Sequence, residues 1–551
     1  MSGYFVNVYR RHNRLTLGLG GVFGAAVALW VLDESRAAAR ARAALHHDAL
    51  HTLVKSQPRE APLEAGAIGG FQGVAALRMW LVDVSWSPAQ VWRIGFEDFH
   101  PALHLVLVHL LRAAGASFET SFLTVNFSAL LLLVVGAVLV NRLDRRTMLS
   151  GLIVVLVVLV SPAVLRTASE PRHWMLATAF SLLGVVTLSW IFRCSLAGRV
   201  LRFREVALCA LTLVGGLLTE TTLGVGLIAW VLVVIVTVRR STSSSALVRN
   251  ATRTVALSAL LWLLLFPQGV SLFVRAVGWR GGELFSGQTT PALSSRLQPG
   301  FDVDQARRYL SGLGDLWQIG GDGRVTFVLL WGSLLFLFVV QLGVVLVRCG
   351  VWSGLGWFDF RVVTHGFVVG LVGSVWAALY LVLYSFGFLP DHAAGWKYML
   401  PHGVLLLVGV WDGVQRGPWR LVGGGLVVAV LLYHSSVLSL DRNGQAGLVE
   451  RLAASDRVLV FGNKLDLLQV MYPLAAGEFD AVPEVYFAGQ GGAVEHLVCE
   501  GDELWGEVFV TARREPFALG VEAALTASTA RPKLDLLGDV EWQEIGVITS
   551  C

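Results

Sequence analysis

Long apolar runs are the feature that most restricts the architecture of this chain. A helix that crosses the hydrocarbon core of a bilayer needs about 20 mostly apolar residues, with a range of about 17–25. Hydrophobic residues make up 55% of the 551 residues and charged residues 15%, against about 45–50% and about 25% in soluble domains. Lipid therefore solvates most of the chain. The sequence predicts eleven spans, at 15–32, 122–140, 148–165, 174–192, 206–218, 222–238, 255–274, 325–347, 362–388, 398–411 and 421–438.

Two of these runs need interpretation. The first run ends without the small-x-small pattern of a cleavage site, so we interpret it as a retained helix and not a signal peptide. The fifth and sixth runs are separated by Thr219, Glu220 and Thr221. We interpret these three residues as a tight outer turn. A single kinked helix in their place would reverse the orientation of every later span.

Arginine placement sets the predicted orientation. Cytoplasmic loops of membrane proteins carry an excess of Lys and Arg, and with eleven spans and a cytoplasmic N-terminus every inner loop here is short and Arg-rich. The C-terminus is then extracytoplasmic, and the protein is predicted to be a multi-pass protein of the inner (plasma) membrane. The Arg-bearing inner segments are 10–14, 141–146, 193–204, 239–253, 348–361 and 416–420.

Three segments are predicted to lie on the outer side. The loop 33–120 contains an apolar stretch at 103–111 that is too short to span, and we interpret this stretch as an interfacial helix. The segment 275–324 is rich in Gly, Ser and Pro. The tail 441–551 is predicted to be a small α/β domain, while 1–440 forms the membrane domain. The strands predicted in the tail are 457–461, 484–487, 507–511 and 545–549, and a helix is predicted at 464–472.

Several classes of function are disfavoured by composition. The net charge of +4 comes without a basic stripe, so a nucleic-acid partner is not expected. The five cysteines form no CxxC pair or ligand cluster, so no cysteine metal site is predicted. No internal repeat is present, which disfavours a transporter built from duplicated halves. The fold class predicted is an all-α polytopic membrane protein with a C-terminal extracytoplasmic α/β domain.

Charged residues gather near the predicted outer surface, where they are functional candidates because ionisable groups are costly at membrane depth. Glu97 and Asp98 precede His100 and Pro101, and an apolar helix follows. Proline suits the first turn of a helix, and carboxylates are favoured at its N-terminus. Ordinary helix capping by Asp explains the same pattern.

Three further clusters lie at predicted outer ends of spans. Glu170 and Arg172 are two residues apart, and an arginine there suits a phosphate. Glu220 lies in the turn between the fifth and sixth spans, and Lys397 with Tyr398 begins the tenth. Each has a structural explanation as well, as a polar interfacial turn or as a membrane anchor.

The ordered set of these segments resembles the GT-C membrane glycosyltransferases that use polyprenyl-phosphate sugars, such as protein mannosyltransferases and aminoarabinose transferases. The stretch 98–104, Asp-Phe-His-Pro-Ala-Leu-His, is similar to that family's Asp-x-His-Pro-Pro-Leu-Tyr, with departures at Ala102 and His104. The stretch 170–174 resembles Glu-x-Arg-x-Tyr, 218–220 resembles Leu-Thr-His with Glu220 for His, and 397–401 resembles Arg-Tyr-Leu-Leu-Pro. The resemblance covers residues 15–411.

The family's first acidic site has two candidates in this chain. Asp33 and Glu34 directly follow the first span and form an acidic pair. Asp83 lies nearer the His-Pro motif, but Val84 stands where a second acid is expected. Either carboxylate remains a candidate for the catalytic base.

The resemblance implies an inverting sugar transfer to an acceptor hydroxyl on the outer face of the membrane. A carboxylate, Asp83 or Asp33, would take the proton of the hydroxyl, and Arg172 with Lys397 would stabilise the lipid phosphate that leaves. Asp98 and Glu170 would orient the donor or hold a divalent cation. The implied partners are a polyprenyl-phosphate sugar, the bilayer, and a glycan, lipid or protein acceptor. Further substrate-binding candidates are Glu97, His100, Glu220 and Tyr398.

Three alternatives remain open from the sequence. A transporter or flippase-like protein would be expected to carry charges in the middle of its spans, and the spans here are nearly free of charge. A lipid-linked polysaccharide ligase or polymerase would share the outer site and differ in its donor. The departures at Val84, Ala102, His104 and Glu220 also fit a transferase that has lost its activity.

Overall fold

The structure is a computed structural model of the chain, and its described elements are eleven helices followed by seven strands. The helices are α1 Pro88–Glu97, α2 Ala102–Ala113, α3 Phe118–Leu143, α4 Pro162–Ala168, α5 Trp174–Leu196, α6 Phe203–Thr219, α7 Leu223–Val238, α8 Ser244–Leu265, α9 Val303–Asp315, α10 His365–Ser385 and α11 Trp396–Val414. The residues described are 87–97, 102–144, 162–220, 223–238, 244–266, 302–315, 364–386, 396–414, the strands given below and scattered positions within 22–81, 155–159 and 454–472.

Three of the described helices, α3, α5 and α10, are long and apolar enough to cross a membrane by length and composition. Their ends follow ordinary capping chemistry. In α3, the Ser117 hydroxyl accepts a hydrogen bond from the Thr120 amide at 3.1 Å. Glu119 lies in its first turn and Arg142 in its last, which suits the helix dipole.

The predicted fifth and sixth spans are two separate helices. Helix α6 ends at Thr219, the backbone of its C-cap Glu220 is extended at φ −155° and ψ 123°, and α7 begins at Leu223. The Glu220 amide still donates to the Gly216 carbonyl at 2.9 Å. The break therefore leaves Glu220 at the C-terminal end of α6.

One end of the bundle is joined by long-range polar contacts. The Asp144 carboxylate, just after α3, accepts hydrogen bonds from the amides of His365 at 2.6 Å and Gly366 at 2.9 Å. It thus caps the N-terminus of α10. At the same end, the Ser189 hydroxyl lies 2.9 Å from His365 Nδ1. These contacts place the start of α10 beside the ends of α3 and α5.

Helices α10 and α11 cross at two glycines. A Cβ on Gly370 would lie 2.5 Å from the Gly409 Cα, and a Cβ on Gly409 would lie 2.4 Å from the Gly370 Cα. Small residues at a crossing let two helix backbones approach closely in a membrane. This contact fixes how α11, which begins at Trp396, is placed against its neighbour.

The predicted spans at 122–140, 174–192, 206–218, 222–238, 362–388 and 398–411 each coincide with a described helix. The stretch 103–111, predicted to be helical, lies within α2. Helix α8 begins at Ser244, before the predicted span, and α9 lies in a segment for which no helix was predicted. The spans predicted at 325–347 and 421–438, and the domain boundary near 440, lie outside the described residues.

The C-terminal region carries a mixed five-stranded sheet in the order β2-β1-β5-β7-β6. Strand β1 pairs in parallel with β2 and β5, while β7 is antiparallel to both β5 and β6. All four predicted strands are present; β6 was not predicted. The strands are β1 Arg457–Val460, β2 Glu484–Phe487, β3 Cys499–Glu500, β4 Glu503–Leu504, β5 Val508–Arg513, β6 Lys533–Val540 and β7 Gln543–Ser550.

The region just before β2 packs against the start of α3. The Tyr472 and Phe118 rings meet edge-on with centroids 6.5 Å apart. The Arg112 guanidinium, at the end of α2, lies 5.7 Å from the Phe118 ring centroid and donates a hydrogen bond to the Leu81 carbonyl. Arg112 therefore joins the segment before α1, at Leu81, to the first residue of α3.

Candidate active site

Four elements meet at the end of the bundle opposite to Asp144. They are the end of α2 that carries His104, the turn before α5, the C-terminus of α6 and the start of α11. The turn before α5 is residues 169–173, and it carries both Glu170 and Arg172. Of the residues predicted from sequence, this end collects Glu170, Arg172, Glu220, Lys397 and Tyr398.

The turn before α5 is held by Asn126 of α3. The amide nitrogen of this buried side chain donates to the Ala168 carbonyl at 3.0 Å and to the Glu170 carbonyl at 2.7 Å. The Arg172 amide donates to the same Glu170 carbonyl at 2.8 Å. Buried backbone carbonyls need donors of this kind, and the result is a turn that presents Arg172 with only 8% of its surface exposed.

A buried His–Glu pair bridges α5 and α6. His173 Nε2 lies 2.8 Å from Glu220 Oε2, and the two side chains are 7% and 10% exposed. Burial lowers the pKa of His173, the Glu220 carboxylate opposes this shift, and the charges of Arg172 and Lys397 add to it. A neutral His173 that donates Nε2–H to the carboxylate satisfies this geometry.

Aromatic rings join the start of α11 to the start of α5. The Trp174 and Tyr398 rings are 4.4 Å apart at 65°, and the His173 and Trp174 rings are 4.3 Å apart. Lys397 Nζ lies 5.9 Å from the centroid of the Tyr398 ring. Trp174 is 2% exposed, so this contact is part of the protein interior and holds Lys397 on the same side as Arg172.

His104 of α2 lies at the same end of the bundle as Arg172 and His173. It is 1% exposed, and burial, followed by the charges of His173 and Arg172, lowers its pKa to about 3. Next to it, Leu103 packs on the apolar cluster that contains Leu218 of α6. The sequence marked position 104 only as a departure from the family pattern, and His173 was not proposed as a site residue.

Acid is expected to destabilise the protein through His104. Its folded-state pKa lies below the unfolded value of about 6.5, so the native state binds fewer protons and stability is lost as pH falls from about 6.5 towards 3. Between pH 7 and pH 5 the wild type should lose about 2 kcal/mol more than His104→Gln, which cannot titrate. Thermal unfolding in nanodiscs at both pH values measures this difference, and equal losses would contradict it.

The other predicted site residues are not brought together by the described structure. Asp33 is helical with an exposed side chain. Glu97 is the last residue of α1, and its backbone alone is described. Glu34, Asp83, Asp98 and His100 lie outside the described residues. Within the described residues no group of three His, Cys, Asp or Glu side chains is arranged to hold a metal ion.

An apolar groove begins close below the His–Glu pair. Its lining includes Gly216, whose carbonyl accepts from the Glu220 amide, so the groove starts one helical turn from that carboxylate. Phe180 and Gly184 of α5 and Trp376 of α10 form other parts of its wall. Cationic groups at one end and an apolar groove beneath them suit an amphipathic anion with a long hydrocarbon chain.

The chain is similar to solved structures of known proteins. The chain is similar to the crystal structure of ArnT from Cupriavidus metallidurans in the apo state, with 12% identity, a TM-score of 0.37 and coverage of 96% of this chain and 97% of that one. The structure of the same protein bound to undecaprenyl phosphate gives 11% identity and a TM-score of 0.34 at the same coverage. No family model and no curated protein matches. The similarity to ArnT thus extends over nearly the full length of both chains.

Proposed function

We propose that this protein is a membrane glycosyltransferase that moves a sugar from a polyprenyl-phosphate donor to an acceptor hydroxyl at the outer face of the membrane. The observation that carries the proposal is the convergence of buried Arg172 with Lys397 and the His173–Glu220 pair, one helical turn of α6 away from an apolar groove. A phosphate at the level of the cations would leave its polyprenyl chain in the groove. Donors delivered through the lipid phase suit a face of the membrane that has no supply of nucleotide sugars.

The reaction is a displacement at the anomeric carbon. The acceptor oxygen forms a bond to this carbon as the bond to the phosphate oxygen breaks, and the polyprenyl phosphate leaves with the electron pair. A carboxylate, Asp83 or the pair Asp33 and Glu34, takes the hydroxyl proton; a general base contributes about 10²–10⁴-fold. Attack from the face opposite the phosphate inverts the anomeric configuration, through an oxocarbenium-like transition state.

Arg172 and Lys397 act on the leaving group. Negative charge on the phosphate grows as the glycosidic bond breaks, so cations held in a site of low dielectric stabilise the transition state more than the ground state. Arginine suits this task because its guanidinium binds a phosphate through two parallel hydrogen bonds. Glu220 fixes the orientation of His173 and limits the net positive charge of the site.

The remaining carboxylates are proposed to orient the donor. Asp98 and Glu170 would accept hydrogen bonds from sugar hydroxyls, and Glu97, His100 and Tyr398 are further candidates for donor binding. A divalent cation held by Asp98 and Glu170 would neutralise charge on the phosphate. The mechanism above needs no such ion, because Arg172 and Lys397 already supply two positive charges to the leaving group.

The proposal is tested by the release of polyprenyl phosphate from polyprenyl-phosphate sugars. The purified protein in nanodiscs receives a panel of donors and a membrane extract that supplies acceptors. Wild type is expected to release polyprenyl phosphate, and Asp98→Asn and Glu170→Gln to abolish release. Glu205→Gln is the matched control. Glu205 lies in the first turn of α6, at the opposite end of the bundle, and pairs with Arg199. Folded wild type without release from any donor would point to a ligase or polymerase with a diphosphate-linked donor.

A further inference from the structure

His104 has a buried polar atom for which the described residues provide no hydrogen-bond partner. The side chain is 1% exposed, and its Nε2 makes no hydrogen bond to the residues that the structure describes. Leaving a buried donor or acceptor unpaired is costly enough that native proteins rarely do so. An atom of this kind at a candidate site calls for a ligand as its partner.

The same helix offers an internal comparison. His109, five residues along α2, is 0% exposed, and its Nδ1 lies 3.2 Å from the Ser56 carbonyl oxygen. Within the described part of the chain, a backbone carbonyl therefore partners one buried histidine of α2, while Nε2 of the other has no partner. The difference between them is position, because His104 lies beside Arg172 and His173.

The surroundings of His104 define the chemistry of the missing partner. Arg172 is cationic and near enough to His104 to lower the pKa of its imidazole, and a hydrogen-bond donor in the field of a cation favours an anionic oxygen as its partner. A neutral imidazole supplies an N–H without adding to the positive charge of Arg172 and Lys397. Leu103, the preceding residue, packs with Leu218 near the end of α6, where the apolar groove begins.

We propose that the Nε2–H of His104 donates a hydrogen bond to the phosphate of an isoprenyl phosphate, which makes His104 a third phosphate-binding residue beside Arg172 and Lys397. This inference rests on the proposed function, since it deepens the description of the same site. It also gives a physical reason for the departure at position 104, where the resembling family has tyrosine. Both side chains carry a donor, at different distances from the backbone.

Equilibrium binding of farnesyl phosphate to the full-length protein in nanodiscs tests the proposal. Farnesol reports the contribution of the chain alone, and inorganic phosphate that of the head group alone. His104→Gln and His104→Asn form the decisive pair, because the glutamine amide nitrogen reaches the position of Nε2 while that of asparagine reaches only Nδ1. His109→Gln is the control on the same helix, and unfolding midpoints without ligand report folding.

Farnesyl phosphate should bind His104→Asn about ten- to a hundredfold more weakly than wild type, the worth of a hydrogen bond to a charged group. His104→Gln should stay within about threefold of wild type, and His109→Gln should bind as wild type does. Equal affinities of the Asn and Gln variants would overturn the role of His104 while leaving the proposed function standing. Wild type that binds farnesyl phosphate no better than farnesol, or no better than inorganic phosphate, would overturn both.

Discussion

Replacement of Arg172 by alanine is expected to lower kcat/KM for the polyprenyl-phosphate donor by about 100- to 1,000-fold, the range found when one preorganised donor to a developing charge is removed. Arg172 is 8% exposed and lies on the turn that Asn126 holds. The guanidinium is therefore already in place when the substrate arrives, and water cannot replace it at little cost.

A conservative replacement at position 172 is also expected to lower kcat/KM. Arg172→Lys keeps the charge but loses the planar pair of donors, so we expect a loss of at least about tenfold in kcat/KM. Steady-state release of polyprenyl phosphate measures both variants. Arg199→Ala is the control, because this side chain is 49% exposed and lies at the other end of the bundle. Activity of Arg172→Ala within threefold of wild type, in folded protein, would show that Arg172 has no role at the phosphate.

Substitution of Gly409 is expected to have the largest effect on stability. A Cβ there would lie 2.4 Å from the Gly370 Cα, and the atom in the way is backbone, so no side-chain rotation relieves the clash. Helices α10 and α11 must move apart along their interface. Overpacking costs about 1–3 kcal/mol in well-packed interiors, and we expect Gly409→Ala to reach the upper part of this range and Gly409→Leu to yield no folded protein.

Gly224 of α7 provides the matched control for the crossing. A Cβ on Gly224 would meet nothing within 4 Å, and alanine has the higher helix propensity by about 1 kcal/mol. Gly224→Ala should therefore keep or raise the unfolding midpoint, whereas Gly409→Ala should lower it by several degrees. Equal midpoints for the two variants would mean that the α10–α11 contact does not limit stability. Lys397 lies at the start of α11, so Gly409→Ala should also reduce donor turnover.

The sequence alone was sufficient to predict those elements for which a single physical signal dominates. Apolar runs predicted most of the described long helices, and clusters of charge at their ends indicated Arg172, Glu220 and Lys397 as site candidates. Hydropathy was a poor guide to helix ends that lie outside the apolar stretch. Helix α8 begins at Ser244, before the apolar stretch, and in this first part Asn250, 0% exposed, accepts from the Leu201 amide and donates to the Arg199 carbonyl. A hydropathy profile does not contain such bonds.

Other features depend on contacts between distant segments. His173 lies in the charged turn before α5, but its contact is with Glu220, 47 residues later in the chain. Helix α9 lies in a segment whose Gly, Ser and Pro content predicted no helix. It packs on α10 through Tyr309, whose hydroxyl donates to the Ala377 carbonyl at 3.0 Å. Pairings of this kind leave no local pattern in a single sequence.

The Asp144 cap has a consequence for biosynthesis. The Asp144 carboxylate accepts a hydrogen bond from the amide of His365, which lies 221 residues further along the chain. At the usual translation rate of about 5–20 residues per second, the ribosome needs about 10–45 s to make the partner. During this interval the end of α3 is complete but its carboxylate has no helix to cap. Nascent chains arrested before residue 364 should therefore be digested by protease next to Asp144, and chains released after α10 should be protected there.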